Sequence, residues 1–110
     1  MNISRFKIFT TDRRKIIDYL KDHFSFEYEK HSSNMSILAD EQFYFRNSST
    51  QMNMVILKIE KSSIDIDIIG GAGGRGLLNI DLWSEKSYIK KVSKILVQFS
   101  EEFKIKMEEK

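Results

Sequence analysis

No cysteine and no proline occur among the 110 residues, only one tryptophan and two histidines do, and the five glycines crowd into one short stretch. Without cysteine there is no disulfide, no thiolate metal site and no cysteine nucleophile. The same lack fits a reducing compartment. The longest strongly apolar runs span four or five residues, far below the ~18 that cross a bilayer. The start, Met1-Asn2-Ile3-Ser4-Arg5, carries no apolar run of a signal peptide, and a second residue other than Gly argues against myristoylation. The expected protein is cytoplasmic, with no membrane association. Neither sign of charge dominates: 18 basic against 16 acidic side chains leave a formal net charge of +2. A dedicated nucleic-acid binder shows a larger or more clustered excess, so nucleic acid is not an expected partner. Heavy use of Ile, Lys and Asn without Pro suggests an AT-rich bacterial genome.

What is present suffices for one core. Hydrophobic residues make up 41% of the chain, eight Phe among them, and a chain of this length buries roughly 65% of its unfolded surface. No repeat, linker or low-complexity segment divides it, so residues 1–110 read as a single domain.

The spacing predicts a strand over Ile3–Phe9. A helix of about 12 residues follows, with Thr10 and Thr11 as caps, Asp12 at its positive end and Ile16, Ile17, Leu20 and Phe24 on one face. From Phe24 the period becomes two, placing Phe24, Phe26 and Tyr28 on one face of a strand. Further strands are expected over Met35–Ala39, Glu41–Arg46, Met52–Glu60, Ile64–Ile68 and Leu77–Trp83, with turns at His31–Asn34, Asn47–Thr50 and Lys61–Ser63. Such short connections imply antiparallel hairpins, because parallel neighbours need crossovers of a dozen or more residues. Ser84 is the expected cap of a last helix whose stripe is Tyr88, Val92, Ile95, Leu96, Phe99 and Phe103. The charged tail from Lys104 is expected to fray. The expected class is α+β, in the order β-α-β6-α: an antiparallel sheet of about six to seven strands packed on a long C-terminal helix. That order is similar to a helix-grip domain, and an open sheet with both helices on one face fits it equally.

The glycines are Gly70, Gly71, Gly73, Gly74 and Gly76, and Gly71, Gly73 and Gly76 formally satisfy G-x-G-x-x-G. A dinucleotide site needs a helix after the third glycine, and a P-loop needs Gly-Lys-Ser/Thr. With a strand expected over Leu77–Trp83, neither applies, whereas a helix from Leu77 onward would reopen a phosphate cradle. A protein-kinase glycine loop would fit between strands but lacks its lysine, catalytic loop and metal-binding Asp. The bland reading is a long hairpin turn or bulge; the functional one is an anion-attracting nest to which Arg75 adds charge.

Other residues invite weaker readings. In a hairpin closed by the glycines, Asp65 would lie near Asp81 on a face shared with Asp67, needing a cation or Lys58 to neutralise it. A solvated face is the simpler expectation, and no metal site is assigned. His23 and His31 lack ligand-like neighbours, and no serine sits in Gly-x-Ser-x-Gly. Arg13-Arg14-Lys15, with Arg5 and Lys7, reads as an exposed basic face or as a patch for an acidic partner. Trp83 is expected to pack under the helix start, or else to anchor a partner.

The segments Tyr44-Phe45-Arg46-Asn47-Ser48, Gly70 to Gly76, and Asp81-Leu82-Trp83-Ser84-Glu85 together resemble a family of uncharacterised small bacterial proteins of about this length. The family shares an aromatic-Arg-Asn turn, a glycine-rich loop and a Trp-small-x-Glu approach to the last helix, and has no assigned activity. The resemblance implies that the three segments belong together. The expected function is a non-catalytic ligand- or protein-binding domain, with no cofactor, using Gly71, Gly73, Gly74, Arg75, Gly76, Arg46 and Trp83. The alternative is a carrier or enzyme for a small hydrophobic molecule held between sheet and helix. A third is a homodimer formed through an exposed strand edge.

Overall fold

The computed structural model describes residues 2–44, 49–72 and 81–110. They form six strands and two helices: β1 (Asn2–Ile8), α1 (Arg13–His23), β2 (Tyr28–His31), β3 (Met35–Tyr44), β4 (Ser49–Ile59), β5 (Ile64–Ala72), α2 (Asp81–Phe103) and β6 (Met107–Glu109). The strands make one antiparallel sheet in the order β2-β3-β4-β5-β1-β6. The α+β class, the antiparallel sheet and the C-terminal helix agree with the sequence reading.

Alternation decides the layers. Ile64, Ile66 and Ile68 of β5 are wholly buried, as are Leu38 of β3, Val55 and Leu57 of β4 and Ile8 of β1. They form one cluster with Ile16 and Leu20 of α1 and Val92, Leu96 and Phe99 of α2, so both helices cover the same face. This is the open-sheet alternative. The helix stripe at three- and four-residue steps is the expected one, and Tyr19 of α1 meets the Phe99 ring edge-on at 5.3 Å.

Several elements differ from expectation. Asp12, rather than Thr10 or Thr11, caps α1 by accepting from the Lys15 amide at 3.2 Å, while Thr10 accepts from Asp12 N–H. Phe24 and Phe26 pack on the core while Tyr28 is exposed, because a bend at Glu27 interrupts the alternation. The strands expected on either side of Asp40 are one continuous β3, paired with β4 along its whole length.

Among the described residues four strands separate the helices, where six were expected. Asp81–Trp83, expected to end a strand, is the first turn of α2, so Ser84 lies inside the helix and is no cap. The missing strand lies after α2. Lys104 takes a left-handed φ of 54°, the Ile105 amide bonds back to Ser100 O, and the chain returns as β6 along the outer edge of β1. The tail does not fray, because β1 has unsatisfied backbone groups on that side and Phe9 N–H and Lys110 N–H both bond across the gap.

Candidate functional site

Gly71 is the one expected site residue whose surroundings are described in full. It sits at an irregularity where Met52 and Met54 of β4 face Ala72 and Ile69 of β5, so β5 carries an extra residue. Its φ of 82° would cost a residue with a Cβ about 1–2 kcal/mol. Its amide donates to Asn53 Oδ1 at 3.2 Å. Gly73, Gly74, Arg75, Gly76 and Arg46 lie outside the described residues, as does Leu77–Ile80, and Trp83 is placed only as a backbone position in the first turn of α2.

The correction to Asp81–Trp83 removes the following strand as the reason to exclude a dinucleotide site. Topology supplies a better one. Such a site needs a parallel βαβ unit, and both neighbours of β5 run antiparallel to it. The P-loop exclusion stands on the absence of Gly-Lys-Ser/Thr.

Beside Gly71, the half-buried Asp40 meets two buried polar side chains, Asn53 and Tyr88. Asp40 and Asn53 are direct cross-strand partners on the face beneath the helices, continuing the line of Leu38 and Val55. Tyr88 descends from α2 with its side chain 4% exposed. The Gly71 bond orients the Asn53 amide: the oxygen must face the donor, so Nδ2 faces elsewhere. Among the described residues, Asn53 Nδ2, Asp40 Oδ1 and the Tyr88 hydroxyl are buried with no partner in good hydrogen-bond geometry, although Asn53 lies near enough to Asp40 to favour its charged form. Each such group costs about 1–3 kcal/mol of desolvation, and native folds rarely tolerate them together without a purpose.

Their electrostatics are coupled. Burial pushes the Asp40 carboxyl above the usual carboxylate range, Asn53 pulls it partly back, and Glu27 adds repulsion. Burial and then the Asp40 charge hold the Tyr88 proton on well above the ordinary phenol range. Tyr88 is therefore a hydrogen-bond donor rather than an acid-base group. A carboxyl whose folded-state pKa is raised binds its proton more tightly when folded, so stability falls as pH rises from about 4 through the folded value. Asp40→Asn is expected to flatten that fall, raising Tm at pH 7 and leaving it nearly unchanged near pH 3. Thermal melts across pH check this; equal melts at pH 7 would show that Asp40 is not desolvated.

Sequence reasoning missed this site, although a signal was there. Asn53 is a lone polar residue facing inward from the otherwise apolar Met52–Leu57 run, and Tyr88 opens an apolar stripe with a polar tip.

The other expected clusters resolve into structure. Asp65 and Asp67 each have a cationic neighbour: Lys110 Nζ lies 3.1 Å from Asp65 and Arg5 Nε 3.7 Å from Asp67, while the side chain of Asp81 lies outside the described ones. Among the described residues no group of three or more acidic or imidazole side chains could hold a metal. Arg13 donates to Ser32 O and Met35 O, pinning the β2–β3 turn, and Lys15 sits 4.0 Å over the Phe103 ring, so the basic run is not wholly a free patch. His31 Nδ1 lies 2.7 Å from Ser36 Oγ, a structural contact. No helix among the described residues is long and apolar enough to cross a membrane.

No curated protein and no solved structure matches this chain. A family model does: its description is a family of unknown function, DUF6054, and it matches residues 11–100, which takes in α1, the whole of β2 to β5 and most of α2. The chain belongs to this family of unknown function, DUF6054.

Proposed function

We propose that the domain is a cytoplasmic, non-catalytic binding module that takes a small polar molecule where β3, β4, β5 and α2 converge. The observation that carries this is the meeting of three unpartnered buried polar atoms, Asp40 Oδ1, Asn53 Nδ2 and Tyr88 Oη. Their chemistry defines a complement. Ionised Asp40 accepts from an ammonium, amide or hydroxyl donor, while Asn53 and Tyr88 donate to a neighbouring carbonyl, carboxylate or hydroxyl oxygen. The glycine segment, Arg75, Arg46 and Trp83 are kept in this reading as candidates from the sequence, since Gly71, which belongs to that segment, orients Asn53.

The alternative, a hydrophobic carrier, gains less support. Val92, Leu96 and Phe99 are wholly buried against Ile64, Ile66 and Ile68, so α2 is filled with side chains along this stretch.

Tyr88→Phe tests the proposal. Removing a buried hydroxyl that has no partner is expected to stabilise the ligand-free protein by about 1 kcal/mol, some 4–8 °C in Tm for a domain of this size. In parallel, thermal shifts with free amino acids, small amides and sugars should identify a stabilising compound whose effect Asp40→Asn and Tyr88→Phe both weaken about tenfold in affinity. If Tyr88→Phe instead destabilises by 1 kcal/mol or more, the hydroxyl has an internal partner and the cluster is a structural network.

A further inference from the structure

The second face of the sheet carries no helix, yet it is apolar. On β4, Val55 and Leu57 are buried beneath the helices, while Met54 and Ile56 point the other way and are only partly covered. A strand that is apolar on both faces belongs to a sheet covered on both faces. Cross-strand pairing lines up Tyr28, Ala39, Met54, Ile69 and Ile3 in one row spanning β2 to β1. Tyr28 is 53% exposed, Ile3 44% and neighbouring Met52 40%. Ala39 at its middle is buried between larger neighbours, and both helices lie on the opposite face of the sheet.

We propose that this face is the interface of a homodimer, with two copies packed sheet on sheet about a two-fold axis running along that row. Three features favour a second copy over another occupant. Such an axis sets each apolar residue of the row against its own counterpart, which is the isologous condition. It also exchanges the two flanks of the row. Lys30 stands one step to one side of the Tyr28–Ala39 pair and Glu41 one step to the other, on adjacent strands, and neither has an ion-pair partner among the described residues. The rotation brings Lys30 of each copy to Glu41 of its partner. Of the remaining charges on this face, Arg5 and Asp67 stand level with Lys30 but pair with each other at 3.7 Å, while Lys7, Asp65 and Lys58 form a row farther from the axis and fall at the rim, as in interfaces generally.

Size agrees. Six strands about 4.8 Å apart and about 20 Å long present about 600 Å² before side-chain relief, close to the ~800 Å² per partner of a standard interface. The edges offer less than the face. β2 has four residues and β6 three, two of them Glu, and short charged edges resist strand addition. The association expected from sequence through a strand edge is thus redirected to the face. This inference is independent of the polar cluster beneath α2.

Sedimentation equilibrium of the full chain tests it. The wild type is expected to dimerise in the micromolar range, and Met54→Asp to be monomeric with unchanged circular dichroism. Should Met54→Asp not fold, the rim decides. Lys30→Glu or Glu41→Lys alone sets like charges together twice and should weaken the dimer about tenfold, while the double swap should restore it to within about threefold. A wild type that stays monomeric at about 100 µM, or a dimer indifferent to all these changes, overturns the proposal.

Discussion

Phe99→Ala is expected to cost about 3–5 kcal/mol, the largest effect of any single truncation in this chain. Phe99 is the largest wholly buried side chain among the described residues. It lies at the junction of three elements: the sheet beneath α2, the Tyr19 ring of α1 edge-on at 5.3 Å, and Phe103 one turn on at 5.0 Å. Truncation removes the transfer free energy of a ring and leaves a void that two aromatic neighbours, held by their own backbones, cannot both fill. Against a total stability of about 5–15 kcal/mol, the loss brings the variant near its unfolding threshold, with Tm lower by roughly 15 °C or more. Urea unfolding monitored by circular dichroism measures it. A loss below about 1 kcal/mol would mean that α2 does not seat on the sheet through this residue.

Deleting residues 105–110 is expected to cost about 3 kcal/mol and to make the protein aggregate. The deletion removes β6 with its pairing to β1, the bonds from Phe9 N–H to Lys106 O and from Lys110 N–H to Arg5 O, and the partial burial of Ile105 and Met107 against the core. The Lys110–Asp65 ion pair contributes little, because both groups reach solvent. The larger consequence is the edge. Without β6, the outer side of β1 becomes a longer strand edge with unpaired amides and carbonyls. Urea unfolding and light scattering of the truncated chain check both parts. A change under about 0.5 kcal/mol, with no rise in scattering, would return the tail to the frayed state that its composition suggests.

That tail shows where local reading reaches its limit. Lys104 to Lys110 is mostly charged, and its alternation, Ile105 and Met107 between Lys104, Lys106 and Glu108, is too short to signal a strand. It pairs because β1 offers an open edge, a fact about residues about a hundred positions away. The same limit governs the segment after the glycines. Leu78, Ile80 and Leu82 alternate as a strand would, but α2 begins at Asp81, and the propagating helix takes Asp81–Trp83 into its first turn. Asp40 looked like a break between two strands, since Asp is disfavoured in a strand interior. Pairing with β4 along the whole of β3 overrides that preference.

The candidate site was half legible. The concentration of glycine was legible, and Gly71 takes the left-handed φ expected of a bulge glycine at the irregularity in β5. The polar cluster it orients was not foreseen, because Asp40, Asn53 and Tyr88 are separated by 13 and 35 positions and share no motif. Each alone is an ordinary residue in an ordinary element.

By itself the sequence determined the class, the two amphipathic helices, the antiparallel hairpins, and the alternation of Ile64, Ile66 and Ile68 with Asp65 and Asp67. Those properties repeat every 2 or 3.6 residues, so a short window contains them. The tertiary structure alone decided that β1 lies between β5 and β6, that both helices share one face and leave the other bare, and that three polar groups are buried without partners. Strand order and desolvation depend on what arrives from far along the chain, and no local period records that.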